Sequence, residues 1–158
     1  MRLLFVRSQR PASRLIRWGL DEEVSHVAVE FSSGLVIHST FSGVTLQWID
    51  SFLSEDEIVY SLPVTPTEGE TEIDLMSRVM HTYWKRGYDY WAFTYFSWRV
   101  FLRKFLDIPL PEKNRFNHER SFLCTELAGV IVGREVSPMI TPLELYDILT
   151  GSIHSQRI

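Results

Sequence analysis

The chain has 158 residues, a net charge of −4 and ordinary globular shares of apolar and charged side chains. That length buries a full core as one domain, 1–158, without staples, and the composition excludes a disordered or fibrous chain. An acidic balance with no basic tract argues against nucleic acid as a partner, and a single cysteine excludes an internal disulfide.

The opening residues, MRLLFVRSQRP, hold an apolar run too short for a signal-peptide core. No stretch approaches the roughly eighteen apolar residues of a spanning helix. The expectation is a cytoplasmic protein, with delivery to a phage particle or the cell envelope by another route left open.

Leu3 to Val6 reads as a short buried strand. Arg7 to Asp21 is polar and irregular, with Pro11 and Gly19 as breakers and room for a short helix over Ser13–Trp18. Ser25–Phe31 (SHVAVEF) alternates, His26, Ala28 and Glu30 on one side and Val27, Val29 and Phe31 on the other. Ser33-Gly34 is a hairpin signal before a second strand, Leu35–Ser39, and Ser42-Gly43 turns the chain into a third, Val44–Trp48. Glu57–Val64 completes an antiparallel meander of about four strands. The period then changes from two to that of a helix. Thr67 or Thr71 caps a helix running to about Arg86 and stopped by Gly87; Tyr88–Phe105 is a second helical stretch. A polar, Pro-containing loop over Asp107–Asn117 precedes an apolar helix after Ser121, and Thr141-Pro142 caps a last one over Leu143–Leu149. The class is α+β, with an antiparallel sheet of four to five strands packed against helices.

Chemistry concentrates at Cys124, three residues after the candidate cap Ser121. A helix N-terminus favours thiolate over thiol, and free backbone N–H groups there can receive an oxyanion. The competing reading is a small core residue in an apolar helix. A thiol nucleophile needs a base and a group to orient that base. Of five histidines, His81 is mid-helix, His118 precedes the cysteine helix and His154 is in the tail. Only His26 and His38 lie on strands. In a hairpin centred on Ser33-Gly34 they approach on one face, where one imidazole can fix the tautomer of the other. Half-buried strand histidines bonded to backbone are the alternative. A His-His-Cys set also admits zinc, but without CxxC or HExxH spacing no metal or other cofactor is expected.

SHVAVEF, VIHSTFSGV, RGYDYWAF, FLCTELAG and TPLEL, in that order, resemble the circularly permuted branch of the NlpC-type papain-like hydrolases. That branch includes YiiX-like bacterial proteins and relatives of lecithin:retinol acyltransferase. The resemblance spans roughly 25 to 145, and its discriminating feature is histidine before cysteine. It implies a papain-like fold with Cys124 as nucleophile, His26 as general base and His38 as the orienting group. Many bacterial members carry Glu at the third position, so His38 departs toward the acyltransferase relatives and leaves the substrate class open. Tyr88 and Asp89 match the family's YD element. Tyr88, Tyr90 and Ser25 are the expected substrate-binding residues. Glu126 matches the C-[ST]-E-L pattern and also reads as a carboxylate favoured near a helix N-terminus. The function implied is a thiol hydrolase of amide bonds, a peptidoglycan endopeptidase or amidase. The alternatives are a lipid-directed acyltransferase or thioesterase, and a catalytically silent binding or virion component on the same scaffold.

Between Tyr83 and Phe105 eleven aromatic residues are interleaved with Arg99, Arg103 and Lys104. They read as a core helix with polar ring tips at the surface, as an apolar cleft wall, or as a peripheral membrane contact. The expected partners are accordingly a cell-wall peptide, an acyl-amide or lipid substrate, or a membrane surface.

Overall fold

A computed structural model of the chain describes residues 1–40, 42–66, 69–84, 98, 101–102, 104–107, 124–134, 136 and 140–151. Five strands, β1 (Arg2–Ser8), β2 (His26–Glu30), β3 (Leu35–Thr40), β4 (Gly43–Trp48) and β5 (Asp56–Pro63), form one antiparallel sheet in the order β4-β3-β2-β1-β5. The hairpins β2–β3–β4 follow the expected meander. The fifth strand does not: it crosses back to lie beside β1, which becomes an interior strand flanked by β2 and β5.

Period-two side-chain alternation gives this sheet two different faces. On one, Leu3 and Phe5 of β1, Val27 and Val29 of β2, Ile37 of β3 and Val44 of β4 pack under three helices. These are α3 (Glu72–Tyr83), which contributes Leu75 and Val79, α4 (Cys124–Ile131), which contributes Leu127, Ala128 and Ile131, and α5 (Pro142–Thr150), which contributes Leu145. All are essentially inaccessible to water, and each large one contributes roughly 1.5–3 kcal/mol of burial. On the other face a smaller cluster of Leu4, Val6, Ala28 and Val36 is closed by Phe52 from α2 (Ile49–Leu53), with Ile49 and Ile58 at its margin.

The caps explain where the helices start. Thr71 and Thr141 each accept from the backbone N–H three residues on, while Asp74 and Glu144 reach back to the cap's own N–H. The helix after Thr71 ends at Tyr83, short of the expected Arg86; Arg86 and Gly87 lie outside the described residues. Two further corrections come from short elements. Pro11, read as a breaker, is the first residue of α1 (Pro11–Leu20), where its missing N–H costs nothing. The five-residue α2 is too brief to show a helical period in sequence.

The cysteine helix is closed tightly at its C-terminal end. Gly133 adopts φ +68°, its N–H bonds to Val130 O at 3.3 Å, and Arg134 N–H bonds to Gly129 O at 2.9 Å, a Schellman closure. Gly129 has no room for a side chain: a Cβ there would lie 2.5 Å from Val136 Cγ2 and 2.9 Å from Arg134 O. Among the described residues, no helix is long and apolar enough to cross a membrane.

Candidate active site

His26 opens β2 and His38 lies on β3, paired with Ala28. His26 is two positions from Ala28, so the imidazoles are diagonal neighbours on one face. Their rings meet edge to face, with His26 Nε2 3.1 Å from His38 Nδ1. Phe52 covers them, its ring centroid 5.1 Å from that of His38 and 6.5 Å from that of His26. His38 is 3% exposed. Loss of solvation in this apolar setting is the main reason both rings resist protonation, with pKa values lowered to about 4 for His26 and about 3 for His38. The Arg10 guanidinium adds to the effect on both rings, and the Asp56 carboxylate partly opposes it at His38. Both imidazoles are neutral at physiological pH.

Cys124 is the first described residue of α4 and is half-buried. Ser121, its expected cap, lies outside the described residues. Backbone hydrogen bonding from Val27, Thr125 and Cys124 itself favours the thiolate, but burial outweighs it and raises the thiol pKa to about 11. The Glu126 carboxylate pushes the same way. The expectation that the helix terminus holds a thiolate is therefore reversed: desolvation is the larger effect, and the resting sulfur is protonated.

The helix packs on the Val27 and Val29 side of β2, whereas His26 and His38 belong to the Ala28 and Phe52 side. The sulfur meets the strand at its beginning, through the N–H of Val27, the residue immediately after His26. The two imidazoles pair by side chain, and among the described residues no hydrogen bond joins the sulfur to either of them; what they share is β2.

Ser25, expected to touch substrate, is buried, and its hydroxyl accepts from Ser8 N–H at 3.2 Å while its own N–H bonds to Val6 O. These contacts tie the end of β1 to the start of β2. Tyr88 and Tyr90 lie outside the described residues, as do Asp89, His118 and His154. His81 is in the last turn of α3. Among the described residues, no three or more His, Cys, Asp or Glu side chains are grouped to hold a metal ion.

One buried polar residue of this face, Asp56, went unnoticed in the sequence. Asp56, at the first position of β5, is 8% exposed, and its Oδ1 has no hydrogen-bond partner among the described residues; the same holds for His38 Nε2. The available signal was Asp56 in phase with Ile58 on a strand whose inward face is otherwise apolar. Comparison with protein-family models, with curated proteins and with solved structures finds no match for the chain.

Proposed function

We propose that the chain is a thiol hydrolase of amide bonds, with Cys124 as nucleophile, His26 as base and His38 as the group that orients it. The observation that carries this reading is the 3.1 Å contact between His26 and His38, with the helix that Cys124 heads packed on the strand that holds His26. It agrees with the resemblance to permuted NlpC-type hydrolases, and a cell-wall peptide is the substrate it favours, with a lipid acyl group as the rival.

Neutral partners set the form of the reaction. Burial disfavours both the imidazolium and the thiolate, so a resting ion pair is not the starting state. Substrate binds to the neutral pair, and sulfur gives its proton to His26 as it bonds to the carbonyl carbon. The imidazolium then returns the proton to the departing amine as the carbon–nitrogen bond breaks. Water adds to the thioester, gives its proton to His26, and releases the acid with the thiol restored.

The same raised thiol pKa favours a second reading, a silent binding scaffold on which Cys124 is only a packed residue. Cleavage separates the two, because a thiol that rests protonated alkylates slowly at neutral pH on either reading. Cleavage of peptidoglycan fragments or acyl-amides should fall by about a thousandfold or more in Cys124→Ala, because such groups act as a unit. Absence of cleavage by the intact chain favours the scaffold, and full activity in Cys124→Ala refutes the hydrolase.

An acyl-ester substrate is the remaining choice, and an exposed aromatic row supports it. Trp18, Trp98, Phe101 and Phe105 are about half exposed, and Phe105 and Lys104 both lie against the Trp18 ring. A thioester mass on Cys124 after incubation with phospholipid, and none with peptidoglycan, would select that branch.

A further inference from the structure

Helix α1 has two kinds of surface. Leu20 is buried, and the Arg17 guanidinium turns inward to donate to Ser8 O at 2.5 Å. Pro11, Arg14, Leu15 and Trp18 are exposed, and their offsets of three, four and seven residues place them on one stripe. Residues 98, 101, 102 and 104–106 are helical as well, and Trp98, Phe101 and Phe105 recur at spacings of three and four, so they too share a face. The two faces meet. Rings follow one another from Trp98 to Phe101, Phe105 and Trp18, with successive centroids 5.8, 4.5 and 5.9 Å apart. Each of the four is still about half exposed after making these contacts. Half the surface of four such side chains is about 400 Å², and continuous apolar patches of that size mark binding surfaces. Leu15, 62% exposed, extends it.

We propose that this surface docks the protein on a membrane leaflet rich in anionic lipid, with the rings at the boundary of headgroups and acyl chains and the Arg14 and Lys104 cations against phosphates. Charge is what selects this occupant. Lys104 Nζ lies 5.6 Å over the Trp18 ring, and Arg14 stands one turn before Trp18 on the same stripe. Neither is in an ion pair among the described residues, whereas Arg7 and Arg10, just before them in the chain, are held by Glu23, Glu57 and Glu55. Among the described residues of Pro11–Leu20 and 98–107, the one acidic side chain is Asp107. Aromatic rings bordered by long cationic stems suit the interface of a bilayer, where rings sink and charged tips reach the phosphates. A second copy of the chain suits the surface less, because a two-fold contact sets the same patch against itself and brings like charges together. The whole chain carries −4, so an anionic leaflet repels the remainder of the molecule and the patch fixes which side faces the lipid.

Docking does not require Cys124 to be a nucleophile, and its test reads binding rather than cleavage, so either can fail without the other. The full chain is floated with vesicles of equimolar phosphatidylglycerol and phosphatidylcholine, and with vesicles of phosphatidylcholine alone. It should bind the mixed vesicles, bind the neutral ones more weakly, and leave the mixed ones as salt rises. Trp18→Ala and Phe105→Ala should each lower the partition by about tenfold or more, since each removes a ring from the lipid. Arg14→Glu combined with Lys104→Glu should bring binding on mixed vesicles down to the phosphatidylcholine level or below. Leu15→Ser changes a side chain already in water, so it should weaken binding in the same direction with an unchanged urea midpoint. A wild-type chain that stays at the bottom of the gradient overturns the proposal, as does a partition that Leu15→Ser and Trp18→Ala leave untouched. Equal, salt-insensitive binding to both vesicles overturns the choice of an anionic leaflet. A dimer by sedimentation that Leu15→Ser splits gives the surface to a second copy and overturns it too.

Discussion

The two faces of the sheet are built from the same strands and do different things. The face under α3, α4 and α5 is apolar throughout, and its large residues are sealed from water. The face under α2 has a core of five buried residues, and beside it a row of groups that carry or exchange protons: His38, His26, Ser8 and Asp56. Alternation alone separates them, since neighbouring residues such as Ile37 and His38, or His26 and Val27, point opposite ways. One face supplies cohesion. The other spends part of it on keeping two imidazoles neutral in a dry place.

The largest effect that would sharpen this contrast is acid lability. Both histidines have folded pKa values below the ordinary 6.5, at about 4 and about 3. The unfolded chain therefore takes up protons as pH falls below about 6.5 while the folded chain does not. The sign follows: stability is full above that value and is lost as pH drops toward 4. Urea unfolding at pH 7.5 and 4.5 should differ by about 2–3 kcal/mol for each histidine, and His38→Gln should remove its share. A pH-independent midpoint across this window would mean the rings are solvated, and the contrast between the faces would break.

Next in size is a matched pair of core deletions. Phe52→Ala and Ile131→Ala should each cost about 2–5 kcal/mol by chemical denaturation, since both side chains are fully buried. Only Phe52→Ala should also raise the His38 pKa toward its ordinary value, because it admits water beside the ring whose desolvation is the main cause of the shift. Equal titration in the two variants would show that the faces are not insulated from each other. The smallest effect belongs to Thr141→Ala, which removes one half of a capping box on the apolar side. It should cost about 1 kcal/mol of stability and leave both histidine titrations unchanged in NMR.

Local patterns in the sequence were legible where they had enough length. The alternation in SHVAVEF and the turn at Ser33-Gly34 located β2 and β3, and hence put His26 and His38 on one face. The threonine caps at 71 and 141 located α3 and α5. The return of β5 to the β1 edge was not legible, because pairing between strands about fifty residues apart leaves no mark on either strand alone. Helix α1 was expected only over Ser13–Trp18, because Pro11 was taken to interrupt a helix rather than to begin one. The protonation state of Cys124 was misjudged for a related reason. Sequence shows the helix terminus, which favours charge, but hides the burial that disfavours it more. Asp56 was passed over because an acidic residue at a strand end is ordinarily solvated, and only the assembled sheet reveals that it is not.

The interior position of β1 has a consequence for synthesis. This strand leaves the ribosome before either of its neighbours, yet it needs β2 on one side and β5 on the other to satisfy its backbone. Until residue 63 has emerged, one margin of an apolar ribbon, LLFV at its centre, stays open to any other extended peptide nearby. Nascent chains halted between β4 and β5 should accordingly be the ones that engage chaperones most strongly, and the histidine pair would already be assembled in them before the cysteine exists.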